Sequence, residues 1–376
     1  MFESVAIYLN GVCVNKNCAR YPYRAYINKL LSYPKDAKTS WMQGEGWYED
    51  QLEKFDPSTY STGGDGFKQR RELFMTRTDD IADPTNYNTN FIPMFGKIYS
   101  DINNINTGIL PGIKVTVNME FSKDPFRIVA KDGQDYTIEI SKVILHMPLA
   151  AVNPNMFRSI EAKLAKEAAK IFYKRFELST FTINSSSQSF SQIINTSTGS
   201  GASRMFVAFV TLRSFKGSYQ LNPFKFARRW GWTEKNAANE TVEHSCWIQR
   251  VDLTLNGKPL DCMNADATEF DDQVAFLRMN QTLGYSSTPS SNNINYRDFC
   301  TNSAIYIFDL TISGRSGQVS DVFSPIVKTG DTRLDVTFGG DPTNTEMKVM
   351  VFSEFPSLFT IKKDRELNFS YFPAVA

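Results

Sequence analysis

Apolar and polar residues alternate along many short stretches of this chain, a pattern typical of β-strands with one buried face. The stretches are separated by loops rich in Gly, Ser and Asn, for example 184–191 and 195–203. Strands are predicted at 174–183, 204–212, 247–255, 304–311, 333–338 and 347–355. Many short strands joined by long polar loops predict an all-β protein built from antiparallel sandwiches.

One unit of this pattern occurs twice. Residues 5–11 are V-A-I-Y-L-N-G and residues 251–257 are V-D-L-T-L-N-G, so alternating apolar positions lead into Leu-Asn-Gly in both. Asn-Gly is the strongest short signal for a β-hairpin, because both residues tolerate a positive φ. Each copy continues into a short amphipathic stretch, at 25–33 and at 275–285.

The later parts of the two copies also correspond. An alternating strand leads into Phe-x-x-Asp-Pro at 121–125 and again at 338–342. A last alternating strand follows, predicted at 136–145 in the first copy and at 347–355 in the second. Four corresponding pairs in the same order indicate a duplication whose loops differ in length.

The region between the two copies predicts a helix. Asn153 can cap it, and Pro154 suits its first position, where a missing N–H costs nothing. Its apolar residues recur every three or four positions and form one stripe: Ile160, Leu164, Ala168 and Ile171. The predicted organisation is a first unit at 1–152, a linking helix at 153–171 and a second unit at 172–376. A shorter helix is predicted at 96–104, as a loop insertion.

Composition and charge narrow the function classes. Among 376 residues, 41 are Lys or Arg and 40 are Asp or Glu, and this balance argues against a protein that coats nucleic acid. The longest apolar run, 205–210, is far shorter than the roughly 18 residues that cross a bilayer. The first residues show no secretory signal pattern. The five cysteines form no C-x-x-C pair, so we expect buried thiols rather than zinc ligands.

Candidate catalytic residues are scarce because the chain has only two histidines. His146 is predicted at the end of an apolar strand with a satisfied imidazole, and His244 in a solvated polar loop. Neither is placed to activate a Ser or Cys nucleophile, and two isolated histidines cannot build a metal centre. We therefore expect no catalytic, cofactor-binding or metal-ligating residues.

Three other stretches contain residue types that can bind phosphate, nucleic acid or sugars. Residues 63–66 are rich in Gly but lack the Gly-Lys-Ser/Thr ending of a phosphate-binding loop, so they predict a flexible loop. The basic cluster 68–71 is followed closely by acidic residues and predicts a solvated strand edge more than a nucleic-acid site. Arg228 and Arg229 stand beside Trp230 and Trp232, which could stack on bases or sugars. Since 13% of the residues are aromatic, we favour burial of those rings.

Several longer strings carry a resemblance to a known family. The most distinctive are Y-P-Y-R-A-Y at 21–26, G-S-Y-Q at 217–220 with N-P-F-K-F at 222–226, and V-F-S-E-F at 351–355. Shorter matches are L-L-S-Y at 30–33, D-A-K at 36–38, W-Y at 47–48, F-D-L-T at 308–311 and Gly330 with Arg333 and Leu334. In these strings the chain resembles the major capsid protein of polinton (Maverick) and adintovirus-type double-stranded DNA viruses, which are often integrated in animal genomes.

The resemblance implies a double jelly roll, two β-sandwiches side by side in one chain, as in the hexon-like lineage. It implies a structural protein without enzymatic activity or cofactor. Its partners would be copies of itself, in a homotrimer that tiles an icosahedral capsid lattice as pseudo-hexagonal capsomers, together with minor and penton capsid proteins. It implies no membrane span, no sequence-specific nucleic-acid binding, and a virion location after assembly inside the host cell rather than secretion.

The chain departs from the family pattern at its start. Family members usually have a polar segment and two strands before the Leu-Asn-Gly hairpin, whereas Met1 falls at the first strand of that hairpin. We therefore expect the first sandwich to lack its opening strands, in a fragment or in a reading frame that starts upstream. Two other functions stay open from sequence: a jelly-roll carbohydrate-binding or attachment protein, and a sandwich enzyme that uses two carboxylates.

Overall fold

The computed structural model describes residues 1–15, 19–50, 65–75, 93–105, 108–129, 137–184, 187–194, 201–235, 241–264, 272–311, 330–341 and 346–371. These residues form mainly antiparallel sheets, so the predicted all-β class is confirmed. The strands are β1 Phe2–Leu9, β2 Val12–Cys13, β3 Val115–Phe121, β4 Ala169–Ile183, β5 Ser189–Ile193, β6 Arg204–Thr211, β7 Arg229–Lys235, β8 Thr241–Leu255, β9 Lys258–Asn264, β10 Ile305–Asp309, β11 Thr332–Gly340, β12 Met347–Ile361 and β13 Leu367–Tyr371.

The helices of the described residues are short. They are α1 Tyr21–Ser32, α2 Lys35–Lys38, α3 Asp65–Met75, α4 Asp124–Arg127, α5 Pro154–Leu164, α6 Leu212–Lys216, α7 Gln273–Thr282 and α8 Tyr296–Thr301. Single 3-10 turns lie at Trp41–Glu45, Asp101–Asn104 and Tyr285–Ser287. Over this part of the chain, no helix is both long and apolar enough to cross a membrane.

The strands form three sheets in the described part of the chain. Sheet I has the order β2-β1-β3, and sheet III has the order β5-β11-β8-β7 with β9 also on β8. Sheet II has the order β10-β6-β12-β13, and β4 pairs with the other edge of β12. β12 pairs with β4 along 15 residues, whereas β6 and β13 divide its opposite edge between them.

Sheet II contributes to two cores. Its β6 half packs on sheet III, where alternate residues of β11 are buried and Phe209 meets Phe338 edge to face at 6.3 Å. Its other half, formed by the far ends of β4 and β12 together with β13, packs on sheet I. There Ile7 and Leu9 share a buried cluster with Phe359. Burial alternates along β11, whereas β6 and β10 are buried on both faces; the six strands predicted beyond residue 173 are confirmed.

The duplication predicted from sequence has the same strand register in both copies. In the first copy the leucine of Leu-Asn-Gly is Leu9 of β1, which pairs with Val115 of β3. In the second copy it is Leu255 of β8, which pairs with Thr332 of β11. Val115 and Thr332 each stand six residues before the phenylalanine of Phe-x-x-Asp-Pro. The pairing is therefore conserved between the halves although their loops differ.

An asparagine at the same position in each copy links its hairpin to the neighbouring strand. Asn10 and Asn256 have positive φ values of 47° and 52°, and the glycines that follow have 84° and 76°. The side-chain oxygen of Asn10 accepts from the amide of Lys114 at 2.7 Å, and that of Asn256 accepts from the amide of Asp331 at 3.0 Å. Each asparagine thus both turns the hairpin and ties it to the strand that pairs with it.

The linking helix is shorter than predicted. Asn153 caps α5 through its side-chain oxygen, as expected, but the helix ends at Leu164 and β4 starts at Ala169. The predicted continuation to Ile171 is wrong because that residue lies in the long ladder with β12, where it is buried against the second core. The helix predicted at 96–104 is a single 3-10 turn at Asp101–Asn104.

The predicted closing strand of the first copy is not formed. Tyr136 lies outside the described residues, and 137–153 contain neither helix nor strand. Its counterpart β12 has neighbours on both edges, whereas no described strand pairs with 137–145. A strand without a neighbour leaves its backbone groups unpaired, so alternation alone did not suffice.

Replacing either hairpin asparagine should lower stability. Asn10→Ala and Asn256→Ala each lose the side-chain hydrogen bond and place alanine at a positive φ, so we expect losses of about 1–3 kcal/mol in urea unfolding. Asn10→Ala also loses the hydrogen bond that its Nδ2 donates to the carbonyl of Arg365 at 3.1 Å. Exposed Asn118→Ala in β3 is the control, and an equal loss there would contradict the role of the two turns.

Candidate functional site

The two histidines lie in different settings in the structure. His244 lies in β8 opposite Trp232 of β7, so the predicted polar loop is wrong; its Nδ1 is 3.0 Å from Oδ2 of Asp341. The adjacent residue, Ser245, points its hydroxyl to the other face of the strand, where it accepts a hydrogen bond from Arg229 at 3.2 Å. His146 is exposed in 137–153, so the prediction of a satisfied imidazole at a strand end is also wrong.

The basic and glycine-rich stretches take structural roles where they are described. Residues 68–71 lie on α3 and not on a strand edge. Arg70 donates to the carbonyl of Tyr48 at 2.7 Å and forms an ion pair with Asp50. Burial raises the pKa of Asp50, and Arg70 opposes that rise. Gly63 and Gly64 lie outside the described residues.

The Arg-Trp stretch is buried in part, at Arg228 and Trp230. Arg228 is 4% exposed, and its Nε lies 2.9 Å from Oδ2 of Asp272. Trp230 packs against the main core, while Arg229 is exposed. Arg228 and Trp230 thus contribute to packing, whereas the side chain of Trp232 lies outside the described part.

The cysteines behave as buried thiols at the two positions where burial is clear. Burial raises the pKa of Cys246 and of Cys300 to about 11, which keeps both neutral near pH 7. Cys18 and the side chain of Cys262 lie outside the description. Within the described ranges, no cluster of three or more His, Cys, Asp or Glu residues could hold a metal ion.

Four aromatic residues from the strings that carry the family resemblance meet in one cluster. Tyr26 of α1 stacks on Phe224 with ring centroids 4.4 Å apart and planes 11° from parallel. The ring centre of Trp47 lies 5.3 Å from that of Tyr26, and the ring centre of Tyr23 lies 5.6 Å from that of Phe224. Strings separated by about 200 residues are thus brought together where the first unit meets the second.

A buried ion pair joins the same two parts of the chain. Arg24 of α1 lies 2.5 Å from Asp101, and their side chains are 7% and 1% exposed. Asp101 also accepts from the amide of Phe176 in β4 at 3.0 Å, and the guanidinium of Arg24 lies 5.3 Å from the Phe176 ring centre. Burial raises the pKa of Asp101, and Arg24 opposes that rise. Sequence analysis missed this pair; its only signal was an arginine inside the apolar face of α1.

A second set of charges lies one strand further into sheet II. Glu354 of β12 is 2% exposed and lies 2.5 Å from Arg204 of β6 and 3.5 Å from Lys174 of β4. The Arg175 guanidinium packs 4.9 Å from the ring centre of Phe355. These groups occupy the point at which β12 passes from one core to the other.

Lys38 fastens α2 to the second unit. It is 2% exposed, and its ammonium donates to the carbonyl of Leu30 at 2.8 Å and to that of Asn292 at 2.5 Å. Trp47 covers it, with the ring centre 5.7 Å from Nζ. Burial lowers the pKa of Lys38 to about 8.

One exposed surface, between residues 143 and 152, is rich in large apolar side chains. Six large apolar residues between positions 143 and 152 are 44–87% exposed: Val143, Ile144, Leu145, Met147, Leu149 and Val152. Contiguous apolar surface of this kind marks interaction sites in soluble proteins. We call residues 137–152 the arm, and it is the candidate functional site for contact with another polypeptide.

Breaking the buried ion pair should be costly. Asp101→Ala leaves the Arg24 guanidinium buried without its partner, so we expect a loss of about 3–5 kcal/mol in chemical unfolding. The matched control is Asp335→Ala, which removes a half-buried partner of the exposed Arg333 and should cost under about 1 kcal/mol. Similar losses in the two variants would rule out a structural role for the junction.

Lys38 should make stability depend on alkaline pH. Its pKa is near 8 when folded and 10.5 when unfolded, so the unfolded chain binds more protons between these values. The stability of the wild type relative to Lys38→Met should therefore rise with pH from 8 to 9.5, by up to about 1.4 kcal/mol per pH unit. Exposed Lys35→Met on the same helix should show no such slope when melting is followed at each pH.

No protein-family model matches this sequence, and no curated protein matches it. Among solved structures, a quasi-atomic model of the PBCV-1 virus capsid is 10% identical, with 99% of this chain and 83% of that chain covered and a TM-score of 0.47. The 3.5 Å structure of the Sputnik virophage is 14% identical, with 100% and 74% covered and a TM-score of 0.49. The mavirus major capsid protein is 12% identical, with 98% and 77% covered and a TM-score of 0.41.

Proposed function

We propose that this chain is a structural capsid subunit with a double jelly-roll fold, not an enzyme. The observation that carries the proposal is the aromatic cluster. Its members Tyr23, Tyr26, Trp47 and Phe224 belong to the strings in which the sequence resembles polinton and adintovirus major capsid proteins. Residues that pack together across the chain have a shared physical reason to occur together, which makes the resemblance more specific than separate short matches.

The duplicated hairpin supports two jelly rolls in one chain. The strand registers and the asparagine contacts of the two copies agree, and each copy covers one half of sheet II. We propose that residues 1–152 contribute to the first jelly roll and 172–376 form the second, joined by a connection at 153–171 that contains α5. The long strands β4 and β12 then serve as the common wall of both.

The finer parts of the proposal concern assembly. Three copies would form a pseudo-hexagonal capsomer of an icosahedral virion of the polinton or adintovirus type, built inside the host cell with minor and penton capsid proteins. A net charge of +1 allows many copies to pack without large self-repulsion. The exposed arm supplies apolar surface for contact between copies. No cofactor and no sequence-specific nucleic-acid binding are included in this function.

Light scattering after size-exclusion chromatography tests the assembly. We expect a species of three times the 42.7 kDa chain mass at micromolar concentration. Apolar contacts are not screened by salt, so the trimer should persist in 1 M NaCl, where the Debye length is only about 3 Å. A strict monomer that binds glycans would instead support the attachment-protein alternative and overturn the capsid proposal.

A further inference from the structure

The strand β3 lies at one edge of sheet I, and its outer backbone groups have no partner among the described residues. The amide of Asn10 donates to the carbonyl of Lys114 at 2.9 Å, so the even-numbered residues of β3 face β1 and the odd-numbered ones face the open edge. Along Val115–Phe121 there is neither Lys nor Pro, the residues that commonly block pairing at an exposed edge. This edge is therefore able to pair with another strand.

The internal duplication shows which kind of strand fits this edge. The counterpart of β3 in the second copy is β11, and because both strands lead into Phe-x-x-Asp-Pro, Phe338 corresponds to Phe121. The carbonyl of Thr332 accepts from the amide of Ile194 at 2.7 Å, and the amide of Phe338 donates to the carbonyl of Gln188 at 2.9 Å. Strand β5 thus covers in the second copy the same edge that is open in the first.

The side chains along this edge are also less buried in the first copy than in the second. Phe121 is 53% exposed, whereas Phe338 is 4% exposed. Met119 is half-buried, whereas its counterpart Val336 is 1% exposed. Phe190 of β5 lies opposite that valine and packs against the main core. A strand with a large apolar residue at the equivalent position would cover apolar surface of β3 as well as pair with its backbone.

We propose that the outer edge of β3 binds an extended segment of a second polypeptide, which adds to sheet I as an antiparallel strand in the manner of β5. The recognised pattern is that of residues 188–194, Q-S-F-S-Q-I-I, in which every second side chain faces the core and a large apolar one lies opposite Met119. Main-chain hydrogen bonds to the odd-numbered residues of β3 give affinity, and the apolar side chain gives specificity. The inference goes beyond the capsid proposal, since it rests on the duplicated register and on burial.

Residue-resolved amide hydrogen exchange of the full chain tests whether the edge is open. In dilute protein the amides of Val117 and Met119 should exchange faster than those of Thr116 and Asn118, because only the even-numbered amides of β3 face β1. The amides of β11 should be protected at odd and even positions alike, since that strand has a neighbour on each edge. Equal protection along β3 in dilute protein would mean that its own chain covers the edge, and the inference would then be wrong.

A synthetic peptide with the sequence of residues 187–194 serves as the added strand. We expect it to bind the full chain and to slow the exchange of the Val117 and Met119 amides, while the amides of β11 keep their protection. A peptide with Phe190→Lys should bind about tenfold more weakly or worse, because it cannot bury an aromatic ring opposite Met119. If the peptide does not bind at millimolar concentration, or only displaces β5 from β11, the proposed edge is not a binding site.

Two variants of the full chain locate the bound peptide. Met119→Asp places a charge opposite the aromatic ring of the peptide and should weaken binding about tenfold or more, whereas Asn118→Asp on the exposed face of the same strand should change it less than about twofold. Melting without peptide checks that each variant folds. If Met119→Asp does not, Met119→Pro removes only the N–H that faces the open edge and takes its place. Equal peptide affinity in the folded variants and the wild type would overturn the inference and leave the capsid proposal standing.

Discussion

Both hydrophobic cores of this protein depend on the ladder between β4 and β12. The two strands pair over 15 residues, and each half of the ladder is covered by a different sheet. Beside one half, Phe209 of the neighbouring strand β6 packs on Phe338 of sheet III, and the other half packs on sheet I through Phe359 of β12. Losing this pair would expose the apolar face of both sandwiches at once, so the two units cannot be stable independently of it.

The change from one core to the other is marked by a proline and a layer of charges. β6 begins at Arg204 opposite Glu354 and β13 ends at Tyr371 opposite Ser357, so no described strand lies beside Pro356 on that edge. Pro356 pairs with Lys174, and the backbone N–H groups at this pair of positions point away from the partner strand. Another residue at 356 would therefore direct its N–H into the gap, and proline has no N–H to leave unpaired there. Glu354 with its cations lies at the same level. A buried charge is costly unless it is paired, so this layer favours one alignment of the strands over shifted ones.

The junction between the two units combines aromatic packing with polar fasteners. Tyr26 stacks on Phe224, Arg24 meets Asp101 beside β4, and Lys38 donates to the backbone of the second unit. Large aromatic rings contribute most of the burial, while the charged groups allow only one placement of α1 and α2. In the proposed capsid subunit, this junction would fix how the two units meet. The exposed arm, residues 137–152, lies outside it.

The sequence alone determined the features that are local. Alternation predicted the strands, and the Asn-Gly pairs predicted two hairpins whose asparagines hold the same contacts in both copies, because φ preferences and period-two burial act within a few residues. The tertiary structure decided the rest. α5 ends at Leu164 since Ile171 is needed in the ladder with β12, His244 lies in a strand because β7 pairs with it, and Arg24 finds Asp101 across 77 residues. The arm remains unpaired for the same reason: a strand exists only where a neighbour, distant in sequence, satisfies its backbone.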